Sequence, residues 1–226
     1  MKLSIIMPVY NEKPTIEKII SRVLAVPVEK ELVIVDDHST DGTREILKNY
    51  EGKPGIKICY HPHNLGKGAG IRTGISECTG DYIIIQDADL EYDPNDFLHM
   101  VQIAQAKNAD VVFGNRFMGL HTGLYFWNAL ANVFLTFMTN FVYNAWITDM
   151  ETCYKLVRRE ILQGLRLKSN GFDIEPEITG KLLKQKLKIY EVPISYDGRT
   201  YEEGKKIRAR DGIIALYTLL KYRFTD

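Results

Sequence analysis

Three carboxylates, Asp87, Asp89 and Glu91, close the stretch Asp81-Tyr-Ile-Ile-Ile-Gln-Asp-Ala-Asp-Leu-Glu91, directly behind an apolar run rich in β-branched side chains. A strand of that composition is buried, so Tyr82 to Ile85 reads as a central strand of a parallel sheet. Its end lifts the acids to the sheet rim, where α/β sheets bind ligands. Alternation along an extended chain puts residues 87, 89 and 91 on one side. Clustered carboxylates repel unless a cation sits among them, and oxygen-only ligands favour Mg²⁺ or Mn²⁺ over zinc. An ion held by so few protein groups completes its shell with substrate phosphates, which points to a nucleotide diphosphate.

The elements that position these acids follow from hydrophobic periodicity. Apolar runs at Leu3–Tyr10, Glu31–Asp36, Ile56–Tyr60 and Ala109–Gly114 read as further strands. Helical patterns lie between them, near Thr15–Ala25, Arg44–Tyr50, Asn64–Cys78 and Asn95–Lys107. Strand and helix alternating in this way imply right-handed crossovers and an open, mostly parallel sheet flanked by helices. Polar groups recur after each strand: Tyr10 and Glu12, Asp36 and Asp37, Asn64 to Lys67, the acidic triplet, and Arg116. Five strand ends then supply one rim. Asp37-His-Ser-Thr-Asp-Gly-Thr43 offers N-cap oxygens to the helix that follows it. Gly66-Lys-Gly-Ala-Gly70 matches neither the dinucleotide fingerprint nor the P-loop, which argues against a nicotinamide dehydrogenase. Those glycines serve either phosphate at a helix N-terminus or close helix packing.

Formal net charge is zero, with 29 basic and 29 acidic residues, so no global field draws the chain toward nucleic acid. Cys59, Cys78 and Cys153 show no metal-ligand spacing and are odd in number, which fits a reducing cytosol. The chain enters a strand at once, with no secretory pattern. From Phe117 to Thr148 there is no Asp, Glu, Lys or Arg. Within it Asn128, Asn132, Thr136, Asn140 and Asn144 recur every four residues on an otherwise apolar cylinder. A neutral polar stripe suits a helix lying on a surface better than one spanning a membrane. The stripe drifts about 40° per step, which predicts two shorter helices or a bend between Leu124 and Ile147, the apolar side facing lipid, a partner subunit or the core. Near the end, Asp197-Gly-Arg-Thr-Tyr-Glu-Glu-Gly-Lys-Lys206 is a basic loop with glycines that allow closure over a ligand.

Pro8-Val-Tyr-Asn-Glu12, Val35-Asp-Asp-His-Ser-Thr-Asp-Gly-Thr43, Asn64-Leu-Gly-Lys-Gly68 and Asp87-Ala-Asp-Leu-Glu91 resemble the sequential motifs of family 2 glycosyltransferases with the GT-A fold. Gly114-Asn-Arg116, Asp149-Met-Glu-Thr-Cys-Tyr-Lys155 and the tail motif are similar to those of polyprenyl-phosphate glycosyltransferases, including dolichyl-phosphate mannose synthases. The resemblance covers nearly the whole chain. It implies one GT-A domain over residues 1–226, with residues 1–116 binding nucleotide sugar and 117–226 binding acceptor, and amphipathic interface helices after the fifth strand. It further implies that Pro8, Tyr10, Glu12, Val35 and Asp37 hold base and ribose, and that Asp87, Ala88 and Asp89 contact nucleotide and metal. Asp89 and Glu91 are the metal ligands so implied, although mannose synthases commonly show glutamine at the position of Glu91. Arg199 and Lys205 correspond to a pair that clamps phosphate.

The expected activity is metal-dependent, inverting transfer of a hexosyl group from a GDP- or UDP-sugar to a polyprenyl phosphate at the cytoplasmic membrane face. Asp89, Arg116, Arg199 and Lys205 carry it, alone or with a membrane-protein partner or a second copy of the chain. A phosphate acceptor is already anionic at neutral pH, its second pKa being roughly 6, and needs no general base. Two alternatives keep the nucleotide-sugar site. One is transfer to a hydroxyl of a soluble glycan with Asp149 as base, the other a noncatalytic membrane subunit that binds nucleotide sugar.

Overall fold

The computed structural model describes residues 1–199 and 209–225. In chain order its strands are β1 (Leu3–Val9), β2 (Lys30–Asp36), β3 (Ile56–Tyr60), β4 (Tyr82–Ile85), β5 (Val111–Asn115), β6 (His121–Thr122), β7 (Lys155–Arg158), β8 (Ile189–Pro193) and β9 (Tyr196–Asp197). The helices are α1 (Ile16–Ala25), α2 (Thr43–Lys48), α3 (Lys67–Glu77), α4 (Asp96–Lys107), α5 (Phe126–Tyr143), α6 (Arg159–Gly164), α7 (Ile174–Lys184) and α8 (Ala209–Phe224).

Seven strands form one sheet in the order β3-β2-β1-β4-β7-β5-β8. β1 pairs in parallel with β2 and β4, and β5 with β8, while β7 runs antiparallel to both β4 and β5. This is the α/β, GT-A arrangement expected, with β7 as its reversed member. β4 is apolar throughout because neither of its faces meets water: Ile83 and Ile84 are fully buried, as are Ile5 and Ile6 beside them on β1. α1 covers the sheet with Ile16, Ile19, Ile20 and Val23, the spacing of one helical face. A separate parallel pair, β6 with β9, aligns His121 with Tyr196 and Thr122 with Asp197. It delivers the chain at Tyr196 to the open end of β4.

α5 departs from expectation. Instead of two helices or a bend there is one helix of 18 residues. Its inward face passes from Asn132 to Leu135 and Thr136 and then to Thr139, mixing steps of three and four, so the drift of a strict four-residue stripe never accumulates. Asn144, the last member of the stripe, lies past the helix as its left-handed C-cap (φ 51). The polar stripe faces the protein. Thr136 Oγ1 accepts from the Met150 N–H (3.1 Å) and donates to Asn132 Oδ1 (3.2 Å), and Asn140 clasps both backbone groups of Ile147. Phe126, Trp127, Phe134, Phe137 and Phe141 point outward, Phe141 with 76% of its surface exposed. α8 packs beside α5 through Tyr143 Oη to the Leu219 carbonyl (2.8 Å), and exposes Ile213, Tyr217 and Phe224. Among the described residues no helix is long and apolar enough to cross a membrane.

An inward polar face and an outward apolar one respond oppositely to substitution. Thr136→Val keeps the shape but strands the Met150 N–H, and should cost about 1–3 kcal/mol. Phe137→Ser, on the exposed face, should change stability by no more than about 0.5 kcal/mol. Urea unfolding of the two variants measures the difference, and the reverse ranking would contradict this orientation of α5.

Candidate active site

β4 ends by extending its ladder one residue, with the Gln86 N–H on the Ile6 carbonyl (2.8 Å), and the chain then turns. The extended alternation expected for residues 87 to 91 is absent: Leu90 has a left-handed backbone (φ 68), uncommon for a leucine and the kind of strain that collects at functional sites. The turn splits the triplet. Asp87 meets Lys67 Nζ at 2.7 Å, whereas Asp89 and Glu91 face Arg199. Burial raises the Asp89 carboxyl, and the neighbouring Asp87 and Glu91 raise it further, to about 7.

Arg199 closes the cluster. Its guanidinium lies 3.1 Å from Asp89 Oδ2, 3.4 Å from Glu12 Oε2 and 3.6 Å from Glu91 Oε1. The backbone fixes it there: Arg199 N–H donates to Glu91 Oε1 (3.0 Å), Asp197 N–H to the Glu91 carbonyl (2.8 Å), and Tyr196 Oη to Glu91 Oε2 (2.8 Å). Beneath this, Tyr92 packs its ring 4.7 Å from Tyr154 and edge-on, 5.3 Å from Tyr196. Lys205, the expected companion of Arg199, lies outside the described residues.

The first two strand ends form a second unit. Asn11 and His38 have left-handed backbones, and the two loops are cross-linked side chain to main chain. Ser39, Thr43 and Asp41 accept the N–H groups of Asn11, Glu12 and Lys13 at 2.9 to 3.0 Å, and Asn11 Oδ1 accepts from Thr40 (2.8 Å). The oxygens of this motif therefore join the loops, and the residue capping α2 is Gly42, which makes no side-chain cap. Asp37 spends both oxygens on the loop after β3, accepting from the N–H of Leu65 and of Gly66 (2.8 Å each) beside His61 Nδ1 (2.7 Å). Val35 and Ala88 are buried, Val35 and Pro8 lie under Gly70, and Tyr10 is exposed at the mouth. The glycine run serves close packing: a Cβ on Gly66 or Gly68 would lie 2.3 or 2.5 Å from the carbonyl of Asn170 or Ser169. The N–H groups of Gly68 and Ala69 at the start of α3 bond Asn170 instead of facing a phosphate.

Arg116 follows β5 and forks onto Asp149, Nε to Oδ2 at 2.8 Å and Nη2 to Oδ1 at 2.7 Å. Its backbone N–H adds a third bond to Oδ2 (3.0 Å), and Asn132 of α5 a fourth, to Oδ1 (3.3 Å). Burial pushes the Asp149 carboxyl up, and Arg116 more than offsets this, so it lies below the usual carboxylate range. A carboxylate so enclosed has no free oxygen for a substrate hydroxyl, which removes the geometry needed for Asp149 as a general base.

A family model matches residues 4–166, which take in Glu12, Asp89, Glu91, Arg116 and Asp149. The chain belongs to glycosyl transferase family 2. Dolichol-phosphate mannosyltransferase of Pyrococcus furiosus is 28% identical over 212 residues, covering 91% of this chain and 59% of that protein. Dodecaprenyl-phosphate galacturonate synthase of Rhizobium johnstonii is 32% identical over 122 residues, covering 51% of this chain and 36% of that protein. The chain thus spans little more than half the length of the first relative and about a third of the second. Among solved structures, glucosyl-3-phosphoglycerate synthase of Mycobacterium tuberculosis, in complex with Mn²⁺, uridine diphosphate and phosphoglyceric acid, superposes with a TM-score of 0.75. That match is 17% identical and covers 100% of this chain and 79% of the other, a likeness of fold.

For a family 2 chain the donor set at β4 fits a hard divalent ion: Asp89 and Glu91 offer only oxygen, and both carboxylates face the same guanidinium. Among the described residues no three His, Cys, Asp or Glu side chains form a complete metal cage, so an ion here would keep positions for other oxygens.

Behind Asp87 lies a set of charges that sequence reading missed. Lys67 sits 3.9 Å from Glu175 of α7, whose other oxygen is 2.5 Å from the buried Lys155 of β7. The sequence signal was a lysine inside an apolar strand and glutamates opening a helix beside Pro176. Glu151, on the same loop as Asp149, has Oε1 sealed from water with no hydrogen-bond partner. Burial, partly offset by Lys155, raises its carboxyl from an ordinary 4.5 to about 7.

This fixes a sign for pH dependence. Between about 4.5 and 7 the folded chain holds a proton on Glu151 that the unfolded chain has released, so this group's contribution to stability falls as pH rises through that window. Glu151→Gln, neutral at every pH, should therefore match the parent near pH 4 and exceed it at pH 8 by on the order of 1–2 kcal/mol. Denaturant titrations at both pH values check this, and a variant less stable at pH 8 would mean the carboxylate is compensated in the fold.

Proposed function

We propose that this family 2 glycosyltransferase moves a hexosyl group from a nucleoside diphosphate sugar to a polyprenyl phosphate, with inversion and with Mg²⁺ or Mn²⁺. The observation that carries the reading is the meeting of Asp89, Glu91, Glu12 and Arg199 at the end of β4. A divalent ion held by Asp89 and Glu91 would neutralise the leaving diphosphate as the anomeric bond breaks. Arg199 and Lys205 serve the same charge from the protein side. Pro8, Tyr10, Glu12, Val35 and Asp37 would hold base and ribose, and Asp87, Ala88 and Asp89 would contact nucleotide and metal. Val35 and Ala88 are buried and act through their backbones.

Two features favour a phosphate acceptor over a hydroxyl. Asp149 is locked by Arg116, and a phosphate brings its own anionic oxygen to the reaction. The names of the two relatives, one a dolichol-phosphate and the other a dodecaprenyl-phosphate enzyme, support the same class. A long isoprenoid leaves a bilayer only at about 0.8 kcal/mol for each CH₂ exposed, so the protein must come to the lipid. The outward face of α5, uncharged and aromatic, is the surface for that contact.

Product analysis with UDP- and GDP-sugars against a water-soluble prenyl phosphate and a soluble glycan tests the acceptor class. Inverted prenyl-phosphate sugar is the expected product, and transfer to the glycan alone would overturn it. Asp89→Asn should lower kcat at least about 100-fold in a folded protein, since the ion-holding carboxylate is lost. Replacing Phe134, Phe137 and Phe141 together with Ser should weaken liposome co-sedimentation and activity on vesicle-borne acceptor while sparing the soluble one. Dissociation into monomers with vesicle binding intact would instead make α5 an interface between copies.

A further inference from the structure

The two arginines near the site are held in different ways. Arg116 grips Asp149 through a fork at 2.7 and 2.8 Å. Arg199 spreads over three carboxylates from two strand ends at 3.1, 3.4 and 3.6 Å, and its Nε is buried without a hydrogen-bond partner. Short, parallel bonds mark a geometric lock, and longer contacts to several acids mark attraction to net charge. The backbone under Arg199 is nonetheless anchored, by its own N–H on Glu91 Oε1 and that of Asp197 on the Glu91 carbonyl. The side chain can change partners without the chain leaving its place.

The oxygens it touches, Asp89 Oδ2 and Glu91 Oε1, belong to the two residues assigned above to the divalent ion. From this geometry we infer that Arg199 is a resident counter-ion, which holds the carboxylate cluster when no nucleotide is bound and is displaced onto phosphate when metal and nucleotide enter together. The inference rests on the reading of Asp89 and Glu91 as ion ligands. Its physical basis is repulsion: a dication placed at Asp89 lies within a few ångströms of a guanidinium whose remaining partner among the described residues is Glu12, at 3.4 and 3.5 Å. A nucleoside diphosphate supplies a more highly charged anion. Metal and nucleotide therefore help one another to bind, and the coupling is the same in either direction. This is separate from any role of Arg199 in turnover, because it concerns the protein with no sugar donor present.

The test is Mn²⁺ binding, followed by electron paramagnetic resonance and calorimetry, to the parent, Arg199→Gln, Arg199→Lys and Asp89→Asn, each with and without UDP or GDP. Arg199→Gln should bind Mn²⁺ about tenfold more tightly than the parent in the absence of nucleotide, the size of effect a charge at that range has on a carboxylate. Its gain on adding nucleotide should shrink. Arg199→Lys, which keeps the charge, should gain far less. If Arg199→Gln is poorly folded on its own, Mn²⁺ should raise its Tm more than it raises that of the parent. Unchanged or weaker Mn²⁺ binding by Arg199→Gln would overturn the counter-ion role while leaving the metal site standing, provided Asp89→Asn abolishes binding. Absence of Mn²⁺ binding in the parent at saturating UDP and GDP would remove the metal reading, and the displacement with it.

Discussion

Like charges gathered at the end of a buried strand must be met by opposite charge or by protons, and most of the polar architecture around β4 answers that requirement. Sheet geometry gives β4 no choice about burial, and the turn at Leu90 sends Asp87 to one cation and Asp89 and Glu91 to another. Lys67 answers Asp87 and Arg199 answers Asp89 and Glu91, while burial first, and repulsion from Asp87 and Glu91 after it, raise the Asp89 carboxyl to about 7. Each cation comes from a different part of the chain. The acidic cluster therefore ties the start of α3 and the segment after β9 to β4, and the same ties place the groups that would meet a phosphate.

The reversed strand β7 follows the same logic on the other side. It inserts between β4 and β5, and the loop leading into it places Asp149 under Arg116 and Tyr154 against Tyr92. A buried ion pair of this kind is poor evidence for added stability, because desolvation consumes most of the Coulomb gain. What it provides is position. Asp149 also draws Asn132 inward, and Met150 draws Thr136, so α5 must turn its polar stripe to the protein. Its apolar side is left outward as a consequence, so the exposed aromatic surface arises from what the interior demanded.

Much of this was legible in the sequence. The alternating strands, the acids after Ile85 and the family motifs are local patterns, set by side chains within a few residues of one another. The antiparallel setting of β7 and the use of Asp37 as an anchor for the Leu65–Gly66 loop are not local. Each depends on a partner 20 or more residues away, and nothing in a run of acids says which of them will already be satisfied. The stripe in α5 shows the limit in another form. Periodicity correctly gave a helix with two faces, but hydrophobicity alone does not say which face turns inward when the interior holds unpaired donors and a carboxylate. Glycines 66 and 68 read equally as a phosphate cradle and as packing, and only the carbonyls of Ser169 and Asn170 decide between them.

Arginine itself marks the last step that sequence cannot take. Arg116 and Arg199 both follow strand ends on the rim, both match family positions, and a charge count treats them alike. The fold separates them by the number and distance of the acids each meets. One carboxylate with both oxygens in line makes a pair that excludes other ligands, so Arg116 is fixed on Asp149. Carboxylates from separate loops, at 3.1 to 3.6 Å, hold Arg199 by longer contacts and leave its Nε without a hydrogen bond. A cation in that condition responds to the next anion that enters, and under the proposed reaction that anion would be the leaving diphosphate.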